Sequence, residues 1–150
     1  MKPQASETIS LDMTPECKAR LVQRYPLILS EDTEILCANG WASIIDALCE
    51  SLQARTAHGA PQVRAWYIKE KYGELRFAGV DANAEQQGMI AMARAMSAHT
   101  CELCGQPGET RARGSWILTR CPAHMPSEAL SLDAFERVNA LNPANDFSEK

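Results

Sequence analysis

The chain has 150 residues, 45% of them hydrophobic, and a formal net charge of −4. That length accommodates one domain, or one domain with a small satellite module, around a packed core, and no apolar run approaches the roughly 20 residues of a membrane-spanning helix. The overall acidity argues against a protein whose whole surface is an electrostatic footprint for nucleic acid.

The charge is unevenly spread. Five basic residues face eight acidic ones in residues 1–60, eight face six in residues 61–126, and two face five in residues 127–150, so the middle is basic and both ends are acidic. The polar start, Met1 to Glu7, has no apolar stretch behind it and signals no export. A cytoplasmic, reducing setting is therefore expected, in which six cysteines serve better as metal ligands or buried apolar residues than as disulfides.

Residues 1–13 lack periodicity and are expected to be a flexible lead-in to an α+β domain over residues 14–100. Thr14-Pro15 reads as an N-cap followed by proline at the first helical position, opening a helix that Tyr25-Pro26 closes after about Arg24. Ser30 to Glu34 reads as a polar turn or a first helical turn. From Gly40 to about Ala57, Trp41, Ile44, Ile45, Leu48 and Leu52 recur at three-and-four spacing and predict a helix with that face buried.

Residues 62–78 predict an antiparallel hairpin turning near Lys71-Tyr72-Gly73. Strict alternation would put Trp66 and Ile68 over Leu75 and Phe77, leaving Tyr67, Lys69, Lys71 and Arg76 outside. Such a face is either a solvated sheet surface or a contact for a phosphate backbone. Residues 82 to about 98 predict a second helix whose Met89, Met92 and Met96 read as core, with an adaptable partner surface as the competing reading.

The strongest chemical signal follows. Cys101-Glu102-Leu103-Cys104-Gly105 and, sixteen residues later, Cys121-Pro122-Ala123-His124 supply two ligand pairs, each separated by two residues. That spacing lets one tight turn aim two side chains at one ion, and predicts a closed Cys3His zinc site made of Cys101, Cys104, Cys121 and His124. His99 is the alternative fourth ligand. Four protein ligands leave no coordination position for water, so the zinc is expected to be structural and not catalytic.

Between the pairs, Arg111 to Leu118 predicts a second hairpin with a Gly114-Ser115 turn, placing Arg113 against Trp116, and residues 101–126 thereby read as a zinc-ribbon-like module. Residues 127–150 are expected to hold a last helix, capped by Ser131, with Leu132, Phe135, Val138 and Leu141 as its buried stripe. Catalytic patterns are missing: none of His58, His99 and His124 is followed two residues on by the Glu of a nucleobase deaminase, and His-Glu-x-x-His does not occur.

Gly40-Trp41 opening a helix, the string Ile68-Lys69-Glu70-Lys71-Tyr72-Gly73-Glu74-Leu75-Arg76-Phe77, and the Cys-x-x-Cys-Gly, Trp116 and Cys-x-x-His module together resemble a family of small uncharacterised proteins encoded by bacteriophages and prophages. The similarity spans about residues 36–126. It implies a phage or prophage setting in the bacterial cytoplasm and no particular mechanism. The expectation is thus an α+β fold, an antiparallel hairpin packed on helices with a zinc-ribbon-like module, acting as a non-catalytic binding module for a protein partner. The alternative is nucleic-acid binding through Tyr67, Lys69, Lys71, Arg76, Arg111, Arg113 and Arg120. An enzyme using Glu70, Glu74 and Arg76 is a distant third.

Overall fold

The computed structural model describes residues 11–141. Helix α1 spans Pro15–Arg24. It starts as the sequence dictates: Thr14 Oγ1 accepts from the Cys17 N–H at 3.3 Å, and proline at the first position lacks only a donor that no helical carbonyl could have received. Met13, in the segment expected to be a flexible lead-in, is buried in the core with Leu21, Tyr25, Ile28 and Leu29.

The segment expected to be a polar turn leads into a strand, β1, Glu34–Leu36. A 3-10 turn, Asn39–Trp41, then feeds α2, Ala42–Ala57, whose predicted face of Ile44, Ile45, Leu48 and Leu52 is buried along with Cys49. The hairpin consists of β2, Arg64–Lys71, and β3, Glu74–Val80. Its turn has φ of 55° at Tyr72 and 76° at Gly73, the left-handed pair that matches strand twist in two-residue hairpin loops. The first sheet has the order β1-β2-β3, with β1 parallel and β3 antiparallel to β2. A three-residue strand that alternates exposed, buried, exposed is too short to read against flanking polar residues.

Register corrects one expectation. Ala65 pairs with Gly79 and Tyr67 with Ala78, so Trp66 is an extra residue in a β-bulge. The insertion resets the alternation, which lets Ala65 and Ile68 both face the core while Trp66 is left 64% exposed. Trp66 therefore does not cover Leu75 and Phe77; Ile68 does, paired with Phe77.

Helix α3, Ala84–Ser97, begins with a capping box in which the Asn83 side chain accepts from the Gln86 N–H and the Gln86 side chain accepts from the Asn83 N–H. It runs antiparallel to α2: Arg55 meets Glu85 at one end (3.2 Å), and at the other Trp41 Nε1 reaches the Thr100 carbonyl at 2.9 Å. It also closes the free edge of β3, where the Leu75 N–H donates to Ser97 Oγ at 2.8 Å. Of the methionines expected in the core, Met89 packs against it, but Met92 and Met96 do not. Met92 and Met96 are 62% and 50% exposed, because α3 turns Ala93, Ser97 and Gln86 inward instead.

The second sheet has the order β5-β4-β6, from β4 (Glu109–Arg113), β5 (Trp116–Arg120) and β6 (Leu130–Ser131). Arg111 pairs with Leu118 and Arg113 with Trp116, as predicted. Arg113, however, is drawn away to Glu128 at 2.6 Å, and the expected stacking on Trp116 is not among the cation–π contacts of the described residues. Helix α4, Leu132–Leu141, is capped by Ser131 Oγ, which accepts from the Ala134 N–H at 3.2 Å. Of its expected stripe, Leu132 and Val138 are exposed and Phe135 is half-buried, while the Leu141 side chain lies outside the described residues. The molecule is thus an α+β fold of two small sheets and four helices among the described residues. No helix among them is long and apolar enough to cross a membrane.

Candidate metal centre

Two knuckles converge at the second sheet. In the first, the Gly105 N–H donates back to the Cys101 carbonyl at 2.9 Å, and Gly105 has φ of 79°, which lets the backbone turn under an ion without a side chain in the way. The second closes one residue sooner, with the His124 N–H donating to the Cys121 carbonyl at 3.1 Å. Strands β4 and β5 carry the chain from one to the other.

The ligand atoms of Cys101, Cys104, Cys121 and His124 all lie within 4.8 Å of one another and could hold a metal ion. Cys104 Sγ is 3.6 Å from Cys121 Sγ, while His124 Nδ1 is 3.2 Å from Cys121 Sγ and 3.7 Å from Cys101 Sγ. A tetrahedron with metal–sulfur bonds of about 2.3 Å and a metal–nitrogen bond of about 2.0 Å has edges of about 3.5–3.8 Å. The donor set and its spacing therefore fit that geometry. His124, and not His99, completes the set.

Electrostatics point the same way. Burial pushes the Cys101 thiol up, but backbone N–H groups of Cys121, Cys104 and Leu103 together with His124 outweigh it, so its pKa falls below the ordinary value. The Cys104 thiol is raised, by desolvation first and then by the neighbouring Cys101 and Cys121 sulfurs. Crowded thiolates repel one another, and a divalent cation among them relieves the repulsion.

The centre is joined to the rest of the protein through contacts that the ligand motif does not reveal. Gly40 donates its N–H to the Glu102 carbonyl at 2.6 Å, inside the first knuckle. The buried Glu102 side chain accepts from the Ala38 N–H at 2.9 Å. Its pKa is raised by burial, an effect that the Ala38 hydrogen bond and the Arg120 charge oppose. Thr119 Oγ1, fully buried, donates to the Gly73 carbonyl at 2.6 Å and meets Thr110 Oγ1 at 2.7 Å, so the β2–β3 turn is seated on the β4–β5 hairpin. The sequence marked Gly40-Trp41 as the start of a helix and Tyr72-Gly73 as a turn, with nothing to tie either to the metal knuckles.

The predicted nucleic-acid residues divide into two groups. Tyr67, Lys69, Lys71 and Arg76 share the outer face of the first sheet, opposite Ile68 and Leu75. On the second sheet Arg113 is held by Glu128, Arg111 by Glu109, and Arg120 acts on Glu102. The residues of the enzyme reading also have structural work: Glu70 Oε1 accepts from the Gly73 N–H at 2.7 Å, and Glu74 binds Arg94 at 2.6 Å and Arg76 at 3.5 Å.

A second feature lies away from the knuckles. Between α2 and α3 runs a groove of about 410 Å³, lined by Ile44, Leu48, Met89, Met92, Ala93 and Met96 among others. Comparison with known proteins finds no matching family model, no matching curated protein and no matching solved structure.

Proposed function

We propose that the chain is a non-catalytic, zinc-stabilised binding module whose partner is a protein that lays an amphipathic helix in the groove between α2 and α3. Zinc suits the donor set, because three thiolates and one imidazole in a closed tetrahedron favour it over harder cations and leave no position for a reacting water. The ion's role is then to fix the β4–β5 hairpin, and through Gly40 and Thr119 the ends of α2 and the first hairpin.

The observation that carries the reading is the pair of exposed methionines flanking an apolar groove. Two antiparallel helices form a trough that a third helix fills by ridge-and-groove packing, and methionine adapts its shape to what is laid against it. Glu85, the charged residue in its lining, is already paired with Arg55 at 3.2 Å, so the complementary stripe is apolar and uncharged. The family resemblance supports a phage or prophage setting and a bacterial cytoplasmic partner.

The test places a photocrosslinking amino acid at Ser51, on the groove, and at Asp81, away from it, in a host that carries the phage or prophage. Crosslinks from Ser51 to one helical segment of another protein, lost on Met92→Glu and missing from Asp81, are expected. Crosslinking to a second copy of the chain, or none with zinc content and melting temperature unchanged, overturns the reading.

A further inference from the structure

The outer face of the first sheet has a different chemistry from the groove. We infer that it is a stacking platform for single-stranded nucleic acid, formed by Trp66, Tyr67, Lys69, Lys71 and Arg76. The site is separate from the α2–α3 groove and stands without the partner assigned there.

The β-bulge sets it up. Trp66 and Tyr67 both oppose Ala78 on β3, on the face away from Ala65 and Ile68. Ala78 has only a methyl group with which to cover them, and Trp66 is 64% exposed. An aromatic face open to water is what a base stacks on. Cations alternate with the rings: Lys69 Nζ lies 4.4 Å from the Tyr67 ring centre and Lys71 Nζ 5.5 Å from that of Tyr72. These ammoniums cap the two tyrosine rings, so the open stacking face is that of Trp66, and the lysines stand beside it where phosphates of a bound strand would pass.

Charge and shape favour the same ligand. Arg64, Lys69, Lys71 and Arg76 on this face meet two acids, Glu34 and Glu74, in a chain whose net charge is −4. The positive potential is local, and the acidic remainder keeps a polyanion from binding elsewhere. Beside the platform, β3 and α3 enclose a cleft of about 330 Å³ lined by Tyr67, Arg76, Ala78, Gln87 and Arg94. Arg76 Nε is buried there with no hydrogen-bond acceptor among the described residues. A buried donor without a partner is destabilising, and a phosphate or base oxygen in the cleft would satisfy it. Exposed rings on a sheet surface suit single strands better than a duplex, whose bases are already stacked on each other.

The test is fluorescence anisotropy of the zinc-loaded full chain with labelled oligo-dT and oligo-rU of 12 nucleotides, the matching duplex, and polyglutamate, across a sodium chloride series. Single strands should bind more tightly than the duplex and polyglutamate, with log K falling against log salt with a slope of about −2 to −3 for three or four neutralised phosphates. Trp66→Ala should weaken binding about 5- to 150-fold, the range of one stacked base, and Lys69→Glu with Lys71→Glu should abolish it. Lys18→Gln on α1 should leave it unchanged. Equal binding of duplex or polyglutamate, no binding at 50 mM salt (about the low-salt limit for phosphate contacts), or a Trp66→Ala variant that binds as the parent does would overturn the assignment, provided its zinc content and melting temperature match the parent's.

Discussion

The backbone of Gly40 touches that of Glu102 so closely that a single added carbon would collide with it. The Gly40 N–H donates to the Glu102 carbonyl at 2.6 Å, and a Cβ built on Gly40 would overlap the carbonyl oxygens of both Cys101 and Glu102. The first knuckle and the start of α2 are therefore in direct backbone contact, which no intervening side chain could adjust.

Gly40→Ala should accordingly destabilise the fold, by about 1–3 kcal/mol as for other overpacked sites, and lower the affinity for metal. Gly88→Ala is the contrast. Gly88 sits inside α3 with nothing within 4 Å of its added carbon, so alanine there should stabilise by about 0.5–1 kcal/mol through helix propensity. Thermal melts of the two variants check the opposite signs; equal and small effects would refute the backbone-contact argument.

Purified protein should carry one divalent ion per chain by native mass spectrometry, and lose melting temperature when it is stripped by a strong chelator. Cys104→Ser and Cys121→Ser should bind the ion more weakly and become less stable. Affinity should fall as pH is lowered, because protons compete with the metal for three thiolates and one imidazole. An unaltered melt after complete chelation would show that the convergence of the four ligands has no energetic role.

Thr119→Val should cost about 1–3 kcal/mol in denaturant unfolding. The substitution keeps the shape but removes the hydroxyl that Gly73 and Thr110 use at 2.6 and 2.7 Å. The same change at the half-buried Thr56 of α2, whose hydroxyl bonds to the backbone carbonyls of Leu52 and Pro61 near the helix end, should cost less.

Cys49 yields a pH prediction. Its thiol is buried at 0% exposure, and desolvation, followed by the Asp46 charge, pushes its pKa from 9.0 to about 12. A pKa raised in the folded state means that the unfolded chain gives up this proton first as pH rises. Stability is thus fully present below the ordinary thiol value and is lost as pH climbs from about 9 toward about 12. Cys49→Ala should flatten that alkaline decline in denaturation midpoints, and native protein should resist alkylation at Cys49 until unfolded. Rapid labelling of native Cys49 would contradict its burial.

How much of this was legible in the sequence depended on the range of the interaction. The α1 cap, the face of α2, the turn at Tyr72-Gly73 and the four ligands are local patterns. Each is set by residues within a turn or two of one another, through helical periodicity, the φ a two-residue loop requires, or the reach of a knuckle. Cys17 shows the limit of even such local reading: expected to be buried like Cys37 and Cys49, it packs against the core one turn before Leu21 but is only half-buried, because it lies in the first turn of α1.

What only the tertiary structure decided is which of those pieces meet. The three-residue β1 is a strand because Ile35 finds Ile68 on β2; Trp66 is outside because a bulge resets the alternation; Met92 and Met96 are uncovered because α3 turns Ala93 to the core. Gly40 against Glu102, and Gly73 on Thr119, join residues 62 and 46 positions apart. A sequence records local preference directly, whereas contacts at such separation are selected by the packing of whole elements, where fit to a distant surface outweighs what neighbouring residues prefer.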